Sequence, residues 1–280
     1  MKLGYNTNGL AHHRLIDAIN LLADERYASV AITLDAGVLD PYDDVGTLRR
    51  QIDAARALLD ARGLSRVAET GARYLLNPSK KHDPTLLDPN PTRRDLRVDF
   101  LRRAIDIARE LDAEAVSFWS GILPDADVVN EPAALDRLAS ALRPVLEHAE
   151  ARRMRLAFEP EPGMFIDTFA RFRQLDERVR HPLFDLTVDI GHVHCIEETP
   201  MRDCLCEWRG RIANIHIEDM NRGIHEHLMF GTGTIDFDDV FEALADIGYN
   251  QSVHVELSRH SHAAVEAVRA SRSFLSRWIP

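Results

Sequence analysis

Eight short runs of aliphatic, aromatic and β-branched residues recur along the chain, separated by stretches whose apolar positions follow helical spacing. The runs are Lys2–Asn6, Ser29–Leu34, Arg66–Thr70, Ala115–Trp119, Arg155–Glu159, Leu186–Asp189, Ala213–Ile217 and Ser252–Leu257. Their length and composition predict buried strands. Between them, Leu15–Leu22, Thr47–Leu59, Phe100–Leu111 and Leu135–Ala149 place apolar residues on one face of a helix. Asp236 opens a further helix that Gly248 closes, an N-cap and C′ pair, and Ala263–Trp278 forms the last. Eight strand-then-helix units favour closure into a single (β/α)8 barrel over a doubly wound sheet.

Composition narrows this picture. A chain of 280 residues with 45% hydrophobic content suits one barrel domain spanning residues 1–280. No apolar stretch approaches the roughly 18 residues of a membrane span, so no membrane partner is expected. Met-Lys-Leu-Gly-Tyr-Asn leads directly into a strand and leaves no room for a signal peptide. Cys195, Cys204 and Cys206 make no disulfide framework, so a reducing, cytoplasmic setting is expected. Cys204 and Cys206 lie in a helical region and read as buried thiols rather than a metal site. A net charge of −11 argues against a nucleic-acid partner. Pro-Ser-Lys-Lys-His-Asp-Pro at 78–84 and Asp-Pro-Asn-Pro at 88–91 mark a long loop.

The candidate chemistry lies where the later runs end. Met-Arg-Leu-Ala-Phe leads to Glu159, Phe-Asp-Leu-Thr-Val to Asp189, Ile-Ala-Asn-Ile to His216 and Val-His-Val to Glu256, at successive spacings of 30, 27 and 40 residues. Parallel strands share one C-terminal face, so the four side chains are expected to converge there. Two Glu, one Asp and one His suit a divalent cation: Mn²⁺ first, with Mg²⁺, Co²⁺ or Zn²⁺ as alternatives. Each could instead be an ordinary strand end, but a buried Glu256 without a counter-charge would be costly. Glu159 belongs to Glu-Pro-Glu-Pro-Gly, a rigid loop in which Glu161 is expected behind the site or in solvent. His192, one turn after Asp189, reads as a contact to metal or to a substrate hydroxyl, whereas His194 reads as solvated. Asp219 is placed to orient the other ring nitrogen of His216, and Arg222 divides evenly between substrate and solvent. His225 and His227 point the same way if their segment is extended, and make a possible second metal or substrate site. Trp119 could pack on the carbon face of a polyol, or simply in the core. Asn6, Glu69, Arg73 and Lys80-Lys81-His82 are further candidates on this face, with Glu69 assigned to substrate.

These residues resemble the xylose isomerase-like TIM-barrel superfamily of sugar phosphate isomerases and epimerases, which also includes ketose 3-epimerases, inosose dehydratase and endonuclease IV. The resemblance spans essentially the whole chain and is strongest from 155 to 257. The family's Glu, Asp-x-x-His, His-x-x-Asp and final Glu fall on Glu159, Asp189 with His192, His216 with Asp219, and Glu256. Gly231-Thr-Gly-Thr-Ile-Asp-Phe is similar to its Gly-x-Gly-x-Ile-Asp-Phe segment, and Arg222 stands where ketose epimerases place a substrate-contacting Arg. Endonuclease IV carries additional zinc-binding His residues after its third and fourth strands. Here those segments read Ala68-Glu69-Thr70 and Phe118-Trp119-Ser120, while His225 and His227 fall where that enzyme holds a further zinc.

The resemblance implies a cytoplasmic, metal-dependent isomerase or epimerase of a ketose, sugar phosphate or keto-cyclitol, working through a metal-stabilised enediolate. Glu159 and Glu256 would be both ligands and catalytic bases. His192, Arg222, Trp119 and Glu69 would meet a small polyhydroxylated substrate, and a homo-oligomer is implied by analogy. The alternatives are an inosose-type dehydratase on the same site, a dinuclear zinc hydrolase, and a sugar-binding barrel without catalysis.

Overall fold

A computed structural model describes residues 1–124 and 129–279 of the chain. Eight parallel strands close into a barrel: β1 (Lys2–Asn6), β2 (Ser29–Thr33), β3 (Ser65–Glu69), β4 (Val116–Phe118), β5 (Leu156–Phe158), β6 (Phe184–Asp189), β7 (Ile212–Ile217) and, eighth in the ring, β10 (Ser252–Val255). The doubly wound alternative is thereby excluded. An antiparallel pair, β8 (Asp219–Asn221) and β9 (Ile224–Leu228), projects beyond β7.

The helices are α1 (Leu15–Asp24), α2 (Val45–Arg62), α3 (Pro91–Leu111), α4 (Glu131–Arg152), α5 (Phe169–Val179), α6 (Ile190–Ile196), α7 (Met201–Glu207), α8 (Phe237–Asp246) and α9 (Ala264–Leu275). Helix α3 begins nine residues before the expected Phe100, because Asn90 caps it by accepting from Thr92 N and Pro91 occupies its first turn. Asp236 does cap α8, accepting from Asp239 N, and Gly248 beyond its end has φ +68°. Among the described residues, no helix is long and apolar enough to cross a membrane.

The barrel interior is not uniformly apolar. His254 on β10 is fully buried, its Nε2 2.8 Å from Ser29 Oγ and its Nδ1 2.7 Å from Asn214 Oδ1. Burial, then the neighbouring His216, pushes its pKa down to about 3, so the ring is neutral. Nδ1–H therefore donates to Asn214, and Nε2 accepts from Ser29. Gly4 makes room for the ring, since a Cβ there would meet His254 Cδ2 at 2.2 Å. This polar column rises to the C-terminal ends of the strands, where the acidic groups collect. The large apolar side chains pack outside it, including Phe118, Phe158, Phe172 and Phe184 with ring centroids 5.3–6.4 Å apart.

Candidate active site

Asp189 ends β6 and is paired in register with His216 on β7; Glu159 follows β5 and Glu256 follows β10. These strands are neighbours in the order β10-β7-β6-β5, so four separate segments deliver four side chains to one quadrant of the barrel mouth. Glu159, Asp189 and His216 are buried, and one ligating atom from each of the four lies within 4.8 Å of the others. His216 Nδ1 is 2.7 Å from Glu256 Oε2 and 3.1 Å from Glu159 Oε1. Asp189 splits its oxygens: Oδ1 accepts from His192 N and starts α6, while the buried Oδ2 has no hydrogen-bond partner. An orphaned buried carboxylate oxygen among two Glu and a His is what an oxygen-rich divalent-cation site requires. The residues therefore fit the cation expected from the sequence.

The electrostatics follow from this crowding. Burial disfavours a charged His216, but Glu69, Glu256 and Glu159 outweigh it and raise its pKa well above the ordinary value. Burial and its acidic neighbours raise Glu159 well above the usual range, although His216 opposes them. Glu256 goes the other way: burial would raise it, yet His216, His227 and His192 hold it well below. A cation seated here would displace the proton on His216.

Glu69, expected at the substrate, lies beneath His216 instead. It is buried at the end of β3, and its Oε1 is 2.9 Å from His216 Nε2 and accepts from Asn214 Nδ2 at 3.2 Å. It supplies the orienting carboxylate that the sequence suggested for Asp219. Asp219 is turned away: it accepts from the backbone N–H groups of Met220, Gly231, Gly233 and Ile235 and so fixes the glycine loop. Asp219→Ala should cost about 3 kcal/mol, because several donors lose a charged acceptor at once. Tm should fall by on the order of 6–12 °C; a melt within error of wild type would place the loop's anchor elsewhere.

Arg222 takes the solvent side of its two alternatives, not the substrate contact that the resemblance implied. Arg222-Gly223 is the two-residue turn joining β8 to β9, so the arginine sits at the hairpin tip. It is exposed and donates to the carbonyls of His194 and Glu197 at the end of α6, outside the cavity. His194, expected in solvent, has its Nε2 2.9 Å from Thr234 Oγ1. Asn6 accepts from Asn8 N and Thr33 Oγ1, a structural role.

Trp119, His192, His225 and His227 do line the cavity beside Glu159 and Glu256, and so does Glu161, which was expected behind the site or in solvent. Burial, then Lys81, pushes His82 down to about 4, and its ring meets Trp119 edge-on. Glu161 is only partly buried; desolvation, with Glu256 and Asp189, pushes it up to about 8. The extended β9 turns His225 and His227 to one side, with ring centroids 5.4 Å apart, and His225 Nε2 is 3.0 Å from His192 Nε2. Burial lowers His192 to about 4, so it is neutral. Asn8, which the sequence did not single out, donates from Nδ2 to Glu256 Oε1 at 2.7 Å. Arg73 and Lys81, from the loop between β3 and α3, and Arg259, from the loop after β10, reach the rim.

A closed eight-stranded barrel thus gathers two Glu, one Asp and one His, a set that could hold a metal ion, at its C-terminal face. The xylose isomerase-like TIM barrel family model matches residues 19–278, and the chain belongs to that family. An uncharacterized protein of Methanocaldococcus jannaschii is 29% identical over 65% of this chain and 63% of its own length. An L-ribulose-5-phosphate 3-epimerase of Shigella flexneri is 22% identical over 73% of this chain and 72% of its own. Among solved structures, the IOLI protein with a bound zinc atom superposes with a TM-score of 0.78, covering 100% of this chain and 98% of that one at 17% identity.

Proposed function

We propose that this protein is a divalent-metal-dependent epimerase or isomerase of a ketose bearing an anionic substituent, a phosphate in the first instance. The observation that carries the reading is the pair Glu159 and Glu256, two carboxylates that share one buried ligand set yet follow strands separated by β6 and β7. A divalent cation held by Glu159, Asp189, His216 and Glu256 would supply the Lewis acidity that makes a C–H beside a carbonyl removable. The two glutamates, flanking that set, would work on opposite faces of the substrate. One takes the proton and the other returns it, which inverts the carbon; reuse of a single base gives 1,2-isomerisation instead. His192 contributes a neutral imidazole for a substrate hydroxyl, and Trp119 a ring for the carbon face. Arg73, Lys81 and Arg259 give the rim a positive character above an acidic floor, which favours an anionic group held outward. The relative named as an L-ribulose-5-phosphate 3-epimerase supports the same substrate class.

The test is mass-detected deuterium uptake from D₂O into phosphorylated and free ketoses and inososes, using Mn²⁺-loaded protein. Carbon-bound deuterium in a ketose phosphate, lost on chelation, is the expected result. The labelled position separates epimerase from isomerase, and loss of water would mark a dehydratase. Metal-loaded protein that labels nothing across the panel would overturn the reading.

A further inference from the structure

His82 lines the cavity beside Lys81 and Trp119, yet the chemistry proposed above gives it no part. The chain fixes this half-buried residue from several sides. Its backbone adopts φ +60°, uncommon for a residue other than glycine. Its amide donates to Arg73 O at 2.7 Å, and its carbonyl accepts from Arg97 Nη2 at 2.9 Å. Its Nδ1 lies 3.0 Å from Ala72 O, and its ring meets Trp119 edge-on with centroids 4.9 Å apart. Behind that pair stands Arg97, buried on α3, with its guanidinium 5.3 Å from the ring centres of both Phe100 and Trp119. A buried guanidinium is costly unless it is hydrogen-bonded. This one gives its donors to His82 O and Pro84 O, carbonyls of the same loop.

A carbonyl only accepts, so the contact with Ala72 requires the proton on Nδ1. The ring is neutral, because burial, then Lys81, pushes its pKa down to about 4. Nε2 is therefore an unprotonated acceptor, and among the described residues nothing donates to it. Anchoring the loop does not require that atom: asparagine also accommodates left-handed backbone and carries a donor for Ala72. An acceptor held on a cavity wall calls for a donor on the ligand, and a hydroxyl is the donor that a sugar offers. Lys81 directly precedes His82, and Arg73 is bonded to its amide; both are rim cations assigned above to the anionic group. We propose that His82 is a specificity residue whose Nε2 accepts a hydrogen bond from the substrate hydroxyl next to the anionic group. The site thereby selects a ketose phosphate hydroxylated beside its phosphate-bearing carbon over the corresponding deoxy sugar. The inference rests on the proposed function for its substrate class.

The probes are the ribulose and xylulose 5-phosphates of both hands and their 4-deoxy counterparts. With Mn²⁺-loaded wild type, kcat/KM should be about 3–10-fold higher on the hydroxylated sugar, the worth of one neutral hydrogen bond. His82→Asn should lose that factor on the hydroxylated sugar, mostly through KM, and so erase the preference. A purely structural role would slow both sugars alike, and a folded variant that keeps the preference overturns the inference. A second measurement needs neither turnover nor the variant's folding: imidazole ¹⁵N NMR of the diamagnetic Zn²⁺-loaded wild type. The His82 signal should show Nδ1 protonated, and its Nε2 should shift with the hydroxylated sugars but not with the deoxy ones. Protonated Nε2 in the free protein, or a signal that ignores a bound hydroxylated sugar, overturns the inference. Turnover without the preference removes this inference alone. An Nε2 that responds to sugars which are never turned over removes the proposed function and leaves His82 its role; sugars neither bound nor turned over remove both.

Discussion

Glu256→Gln is expected to lower kcat by on the order of 10³-fold, within the range that positioned general acid–base groups contribute. Glutamine keeps the length of the side chain and an oxygen for Asn8 Nδ2, which now donates to Glu256 Oε1, but it cannot accept the substrate proton. Glu159, Asp189 and His216 remain as ligands, so metal content measured on the same preparation separates lost chemistry from lost metal. The informative comparison is between turnover and isotope exchange. If Glu159 removes the proton and Glu256 returns it from the other face, the variant should still wash deuterium into substrate while forming no epimer. If the roles are reversed, both processes stop together. A metal-loaded variant retaining a tenth of wild-type kcat would end the two-base scheme, because an amide has no means of carrying that proton.

The four clustered residues, Glu159, Asp189, His216 and Glu256, were legible because each is a polar residue closing an apolar run, a pattern that survives without knowledge of long-range contacts. Their convergence required only the strand count and the common direction of a parallel barrel. The orienting partner of His216 was not legible in the same way. Glu69 is 147 residues distant in sequence and reaches the imidazole across the barrel, whereas Asp219, three residues on, satisfied every local rule and points elsewhere. Helix α5 carried a readable signal in Phe169, Phe172 and Leu175 behind the Thr168 cap, yet it lies straight after a Pro- and Gly-rich loop that masks its start. The hairpin of β8 and β9 was missed because Ile-His-Glu-His-Leu alternates without a clear apolar face. That omission displaced Arg222, whose spacing from His216 falls on the turn. Rim cations such as Arg73 and Lys81 depend on loop path. Arg97 sets part of that path from inside α3 by donating to the carbonyls of His82 and Pro84, and no short motif records such an anchor.

Removing the carboxylate beneath His216 should weaken the metal rather than the chemistry. Glu69→Ala is expected to reduce Mn²⁺ or Zn²⁺ affinity by about 10–100-fold, the usual effect of losing an orienting partner of a metal-bound histidine. Glu69→Gln should fall between the variant and wild type, since its amide oxygen can still accept from Nε2–H. The dependence on pH carries a definite sign. In the metal-free protein, burial opposes protonation of His216, but Glu69 leads the carboxylates that hold its pKa above the ordinary value. A metal must therefore displace a proton, and wild-type affinity should fall as pH is lowered. Without Glu69 that proton is held less tightly, so affinity in the alanine variant should fall less steeply. The gap between the two proteins should be widest at mildly alkaline pH and narrow toward acid, as read by calorimetric metal titration at several pH values. At saturating metal, kcat should stay within several-fold of wild type, because Glu69 acts through the ligand and touches no reacting atom. Intact metal affinity with a collapsed kcat would instead return Glu69 to the substrate-contact role that its position at the end of β3 first suggested.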